Sequence, residues 1–398
     1  MCCSSGRQRA CCAVPLVFLF VVIIFGSGVL LTIIYWNVKE AELQRKSDGI
    51  YIRALVDAVN NDPMNTWKAR WNPFGIRSPK ESVSFNRNAT ELRAINADLN
   101  KMFSSDEMKS HIKQLVDFND SLPSHFDARE KWPLCRSIRN VPNQGGCGSC
   151  YAIAATGVAS DRACIASNGK IQPFFSEQDV VSCCSVCGDC SGGDPIRVLH
   201  YWTTQGLVTG NRDGCTPYSA SVQCGTPCSP ANFKPAAACS RQCQSIYSRN
   251  SYEKDKNFGS LVYTIYPRTM NIDGVGNERV LLPSIIGHLN ISNGNLSEIH
   301  NVIKKELFLF GPVTIAFPAT EEFLHYAEGV YHPYPREDDA SRIVYWHVGR
   351  VIGWGTEDDV TNWLVVNSFG QYWGDNGLFR IEADLIENWG LEFETGVV

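Results

Sequence analysis

Gln144-Gly145-Gly146-Cys147-Gly148-Ser149-Cys150-Tyr151 is the stretch whose residue types and spacing can do chemistry. A glycine-rich turn leads there into Ser149–Asn168, a run rich in Ala, Ile and Val that predicts a helix. Cys150 therefore stands at a helix N-terminus, where the dipole stabilises the thiolate, the nucleophilic form of cysteine. Gln144, six residues earlier, can offer its side-chain amide to a developing oxyanion, with the Cys150 N–H as the second donor. That combination suits acyl transfer through the sulfur. The chain holds 17 cysteines: Cys2, Cys3, Cys11 and Cys12, then thirteen between Cys135 and Cys243. Thirteen is six pairs and one left over, the arithmetic of a disulfide framework with one free thiol in an oxidising compartment. Taken alone, Cys150 reads first as one more structural cysteine, as most cysteines in a cysteine-rich chain are. Cys184, Cys187 and Cys190 also carry a Cys-x2-Cys-x2-Cys spacing that zinc can use, but the even remainder favours disulfides. No metal and no cofactor is expected.

Elements of two kinds must position these groups. Strand-like runs follow the helix at Val313–Phe317, His347–Ile352, Trp363–Val366 and Leu378–Ile381, most of them separated by Gly and Pro. Helix first and strands later suit an α+β domain. The net charge of −5 gives no basic face, so nucleic acid is not an expected partner. Ala13–Trp36 carries no charge, and a helix of that length rises about 36 Å, enough to cross a bilayer core. It is longer than the apolar region of a cleaved leader and reads as an uncleaved signal anchor. Arg7 and Arg9 precede it, favouring a cytosolic N-terminus, a lumenal remainder, and juxtamembrane Cys2, Cys3, Cys11 and Cys12 open to palmitoylation. Beyond it, Glu40–Asn60 predicts a helix with Leu43, Ile50, Leu55, Val56 and Val59 as its stripe, and Thr90–Phe103 a second with Leu92, Ile95, Leu99 and Met102. Residues 40–120 hold no cysteine, which marks a boundary near Ser121. The expected organisation is a cytosolic tail (1–12), a transmembrane helix (13–36), a mainly helical leader segment (37–121) and the main domain (122–398). Asn88, Asn119, Asn290 and Asn295 are glycosylation sequons, in keeping with a secretory route.

Gln-Gly-x-Cys-Gly-Ser-Cys is similar to the nucleophile signature of the papain family of cysteine proteases, which orders its residues Cys, His, Asn. Tyr345-Trp346-His347-Val348-Gly349-Arg350 resembles the histidine segment, and Asn367-Ser368-Phe369-Gly370-Gln371-Tyr372-Trp373-Gly374 the asparagine segment. Leu122–Cys135, Asp161-Arg162-Ala163-Cys164, Cys183–Gly193 and Gly214–Tyr218 resemble the cathepsin B-like subfamily, and Trp67–Phe74 resembles its propeptide motif. The resemblance covers roughly residues 45–398. It implies a two-lobed α+β fold, a helical lobe against a β-rich lobe with the active-site cleft between them, behind a mainly helical propeptide. It implies a cysteine endopeptidase made as a zymogen: Cys150 as nucleophile, His347 as its imidazolium partner and later proton donor, Asn367 orienting the ring, and Gln144 in the oxyanion hole.

The same resemblance implies the pairs Cys135–Cys164, Cys147–Cys190, Cys183–Cys239, Cys184–Cys187, Cys215–Cys243 and Cys224–Cys228, leaving Cys150 free. In the cleft, Gly192 and Gly193 match the backbone that pairs with substrate, and Trp346, Val348 and Trp373 match its walls. Glu394 matches an acid at the base of the S2 pocket, which implies that basic as well as apolar P2 residues are taken, with smaller apolar residues as the competing outcome. The short Cys224–Cys228 stretch holds no histidine to cap the primed side, so endopeptidase action is expected. Tyr151 and Phe369 stand where the family has Trp, Tyr345-Trp346 replaces a Gly-Gly pair, and residues 260–296 read as an inserted surface loop. Implied partners are protein and peptide substrates, the chain's own propeptide, cystatin-type inhibitors and the membrane. The implied location is the secretory pathway, ending in a lysosome- or endosome-like compartment or outside the cell. Two rival classes remain: a catalytically impaired papain-like binding protein, which would be expected to lose Cys150 or His347, and a transglutaminase, whose third residue is Asp.

Overall fold

The computed structural model describes residues 30–31, 33–40, 49–72, 88–220, 222, 224–225, 227–228, 233–272, 278–335 and 343–398. The chain divides into two compact units, residues 1–54 and 55–398. In the first, residues 30–31, 33–40 and 49–54 are helical. Most of the expected Ala13–Trp36 span, and all of Cys2, Cys3, Cys11, Cys12 and Leu43, lie outside the described residues. Among the described residues, no helix is long and apolar enough to cross a membrane. Ile50, expected on a buried stripe, is exposed, whereas Val56 and Val59 are buried.

The second unit is built on strands β1 (Trp67–Ala69), β2 (Phe126–Asp127), β3 (Gly188–Asp189), β4 (Gly192–Gly193), β5 (Leu261–Thr264), β6 (Thr269–Asn271) and β7 (Arg279–Leu281). Then come β8 (Val313–Thr320), β9 (Tyr326–Tyr331), β10 (Ile343–Glu357), β11 (Val360–Val366), β12 (Leu378–Glu382) and β13 (Glu392–Val397). The main sheet runs β1-β9-β12-β11-β10-β8-β13-β5, with β2 also on β10. It is antiparallel except where β12 meets β9. β2 can approach β10 because Gly353 has no side chain: a Cβ there would lie 2.1 Å from the Phe126 carbonyl oxygen.

Cys150–Ala166 is one helix, and nearly all of its residues are buried. A helix apolar all round belongs at the centre of a fold. It packs on the Pro195–Thr204 helix on one side and on β10 on the other. Six disulfides join Cys135–Cys164, Cys147–Cys190, Cys183–Cys239, Cys184–Cys187, Cys215–Cys243 and Cys224–Cys228. Of the sulfurs with zinc-like spacing, Cys184 and Cys187 bond each other and Cys190 bonds Cys147, and Cys150 is the free cysteine among the described residues.

Two helices precede the main domain. Ala89–Phe103 is capped by the Asn88 side chain, which accepts from the Thr90 and Glu91 N–H groups. Asp106–Asp117, which the sequence reading lacks, is capped by Ser105. Leu92, Ile95 and Leu99 of the first enter the same core as Met270, Ile272, Leu282 and Cys150. Each such burial contributes about 1.5–3 kcal/mol. The Arg93–Glu278 pair nearby is exposed and screened by solvent, so the apolar face decides the docking. β1 adds to the edge of β9, with Trp67 buried between Tyr326 and Tyr331.

Residues 260–272 and 278–296 correct an expectation. They are not a surface loop: β5 forms the edge of the main sheet, β6 and β7 form a hairpin, and Val262, Tyr263, Ile265, Met270, Ile272, Leu282, Ile285 and Ile286 are buried. The sequons Asn88, Asn119, Asn290 and Asn295 are all exposed.

Candidate active site

Cys150 is the first residue of its helix, following Ser149 at the cap. Its thiol lies against the backbone of Val348 on β10, one residue from His347. His347 Nε2 is 2.7 Å from Asn367 Oδ1. The Asn367 oxygen also accepts the Ser368 N–H at 2.7 Å, which sets the amide orientation. An acceptor opposite Nε2 places the imidazole proton there, so Nδ1 carries the lone pair. That Nδ1 has no hydrogen-bond partner among the described residues.

The two lobes meet at this point, and the Cys150 helix clamps them. Asp161, three turns along it, pairs with Arg350 of β10 at 2.6 Å. Arg162 pairs with Glu306 at 2.9 Å and donates to the carbonyls of Gly311, Pro312 and Gly396. All four charged groups are buried. Burial pushes the Cys150 thiol up to about 11 and the His347 imidazole down to about 4, each toward its neutral form.

Gln144 Nε2 donates to the Cys147 carbonyl at 3.0 Å, while Gln144 Oε1 accepts from Ser368 Oγ at 2.6 Å. The Tyr218 hydroxyl reaches the Gln144 carbonyl at 2.7 Å and Ser149 Oγ at 2.5 Å. Ser368 and Tyr218 are supports that the sequence reading leaves without a role. The available signals are their places inside the asparagine segment and at the end of Gly214–Tyr218.

Around the imidazole, Phe369 stacks at 4.7 Å and 27°, and Phe317 meets it edge-on. Phe369 is fully buried, so the smaller ring still excludes water from the His347–Asn367 bond. Trp373 corrects an expectation: it is buried behind Phe369 and donates its N–H to the Leu324 carbonyl, so it supports the wall instead of meeting substrate. Trp346 is 54% exposed beside the histidine, and Val348 is buried under the thiol. Gly192 and Gly193 form β4, and a Cβ on Gly193 would stand 2.3 Å from the Tyr151 ring.

Glu394 also departs from expectation. It is fully buried, and its Oε1 lies 2.7 Å from Arg268 Nε. The contact lacks hydrogen-bond direction and neither carboxylate oxygen has a hydrogen-bond partner, so this is a charge contact only. Burial raises its pKa to about 8 against the pull of Arg268. No group of three or more His, Cys, Asp or Glu able to hold a metal occurs among the described residues.

A helical lobe packs on a β-rich lobe, with Cys150, free among the described residues, at a helix start and His347 on the sheet it meets, the architecture of a cysteine peptidase. The papain family cysteine protease profile matches residues 122–292 and 287–395. Cathepsin B-like cysteine proteinase 3 of Caenorhabditis elegans is 34% identical over 334 residues, 83% of this chain and 77% of that one. Cathepsin B-like cysteine proteinase 6 of the same organism is 32% identical over 374 residues, 91% of this chain and 79% of that one. Among solved structures, proCathepsin B S9 from Trypanosoma congolense matches with a TM-score of 0.56 at 22% identity, covering 86% of this chain and 97% of that one. The chain belongs to the papain family of cysteine proteases, and its relatives are cathepsin B-like.

Proposed function

We propose that this chain is a cysteine endopeptidase made as a zymogen, acting through Cys150, His347, Asn367 and Gln144. The observation that carries the reading is the His347–Asn367 bond, which leaves the Nδ1 lone pair without a partner, while Cys150, the free cysteine among the described residues, lies against the neighbouring Val348. Nδ1 takes the thiol proton as the sulfur attacks the peptide carbonyl, and the resulting imidazolium protonates the leaving amine. The Gln144 amide and the Cys150 N–H receive the oxyanion. Water then cleaves the thioester, with His347 as base.

Residues 37–121 act as the inhibitory propeptide, with processing near Ser121–Leu122. Docking of Leu92, Ile95 and Leu99 into the core shared with Cys150 supports this. In the covered form the pair is stored neutral; departure of the propeptide readmits water and lets the ion pair form. The disulfide set and the four exposed sequons support a secretory route to a lysosome-like compartment or the exterior. The uncharged Ala13–Trp36 supports an initial membrane anchor. Cystatin-type proteins are the expected inhibitors.

The test is incubation of the processed protein with an epoxide inactivator of cysteine proteases, then peptide mapping, beside the variant Cys150→Ala. Labelling should fall on Cys150, and Cys150→Ala should fold yet lose peptide hydrolysis. Full activity in that variant overturns the reading.

A further inference from the structure

Arg268 lies between β5 and β6, in the segment whose sequence reads as a loop. Its guanidinium meets three carboxylates: Nη2 to Asp194 at 2.7 Å, Nη1 to Glu392 at 2.8 Å, and Nε against Glu394 at 2.7 Å. Asp194 directly follows Gly192 and Gly193, caps the Pro195–Thr204 helix, and is also held by Arg197 at 3.3 Å. Sheet register ties this cluster to the nucleophile. Val348, against the thiol, pairs with Ala316 on β8, and Ala316 pairs with Glu392 on β13. Two strand spacings of about 4.8 Å place the Glu392 backbone roughly 10 Å from that of Val348. Met270, Ala316 and Val348 give the intervening core an apolar wall.

We propose that Arg268 is a specificity-determining residue: its guanidinium takes the place beside Glu394 that a substrate arginine would need, so the cleft selects apolar P2 residues. This deepens the proposed function and rests on it. A P2 arginine recognised by Glu394 would need a free carboxylate with bidentate access. Here the acid is buried, already in contact with a cation, and shielded by a guanidinium that two other carboxylates hold. An entering arginine would have to displace Arg268 and leave it buried without those partners, an uncompensated buried charge. An apolar side chain asks for no such exchange.

The test uses the processed wild-type enzyme and two otherwise identical peptides with Leu or Arg at P2. We expect kcat/KM for Leu to exceed that for Arg at least tenfold. Arg268→Ala should narrow the ratio at least tenfold, and Arg268→Ala with Glu394→Gln should lose that gain. Equal cleavage of both peptides by the wild type overturns the inference, and this readout needs no variant to fold. So does a folded Arg268→Ala with the ratio unchanged. Failure of the parent reading looks different: no hydrolysis of either peptide and no labelling of Cys150. The Leu/Arg preference is then read as the affinities of the two peptides for Cys150→Ala, where equal binding counts against Arg268.

Discussion

Ser368 is the neighbour of Asn367, and its hydroxyl holds the side chain of Gln144. One segment therefore steadies both His347 and Gln144. Gln144→Ala should lower kcat by about 10²–10³, the usual loss for one oxyanion-hole donor. Ser368→Ala removes only the support, a single hydrogen bond of about 0.5–1.5 kcal/mol, so kcat should fall roughly three- to tenfold with KM unchanged. Steady-state kinetics decide it; a rise in KM at constant kcat would place Ser368 in substrate binding instead. The residues proposed to carry the chemistry can be picked out in sequence because each sits in a short contiguous motif. Partnership is not. Arg268 and Glu394 are 126 positions apart (394 − 268), and only the β5–β13 pairing brings their segments together. Trp373 likewise carries the right type in the right motif, and only the fold shows that Phe369 stands in front of it.

Strong helices were legible in apolar spacing: Ala89–Phe103 and Cys150–Ala166 lie within two residues of their expected ends. The Asp106–Asp117 helix was not, because its charged residues mask a stripe of Met108, Ile112 and Leu115. Nor was the 260–296 platform, whose short strands gain meaning only from the sheet edge they join. Its apolar contact with the Ala89–Phe103 helix makes a prediction for the unprocessed chain. Ile95→Ala should weaken docking by about 2–5 kcal/mol. At the low end that speeds epoxide labelling of Cys150 roughly thirty-fold, if undocking exposes the thiol. Arg93→Ala, at an exposed pair, should change labelling little. Equal effects from the two variants would show that charge, not the apolar face, holds the propeptide.

Across the whole molecule, Glu306 joins four elements. It pairs with Arg162 of the Cys150 helix at 2.9 Å, with His111 of the leader segment at 3.0 Å, and accepts from Tyr263 of β5 at 2.8 Å. Burial favours its neutral form, but these partners outweigh burial and lower its pKa to about 2. A folded pKa below the unfolded value stabilises the protein above the unfolded pKa of about 4.3, and the gain is lost as pH falls toward 2. In a Cys150→Ala background, Glu306→Gln should cost about 3–5 kcal/mol at pH 7, by urea unfolding. The gap should close progressively between pH 4.3 and 2; an undiminished gap at pH 2.5 would contradict the assignment. No sequence pattern announces this hub, since its members are spread from His111 to Glu306. The burial of Cys150 against Val348 has a consequence for biosynthesis. The chain emerges N-terminus first, and 197 residues separate Cys150 from His347 (347 − 150). At about 5–20 residues per second, the sulfur waits roughly 10–40 s for the strand that buries it. Throughout that interval it is an uncovered thiol among twelve others seeking partners, able to enter mixed disulfides. Late arrival of β10 thus makes oxidative folding, and the isomerases that correct it, a step on which the yield of competent nucleophile depends.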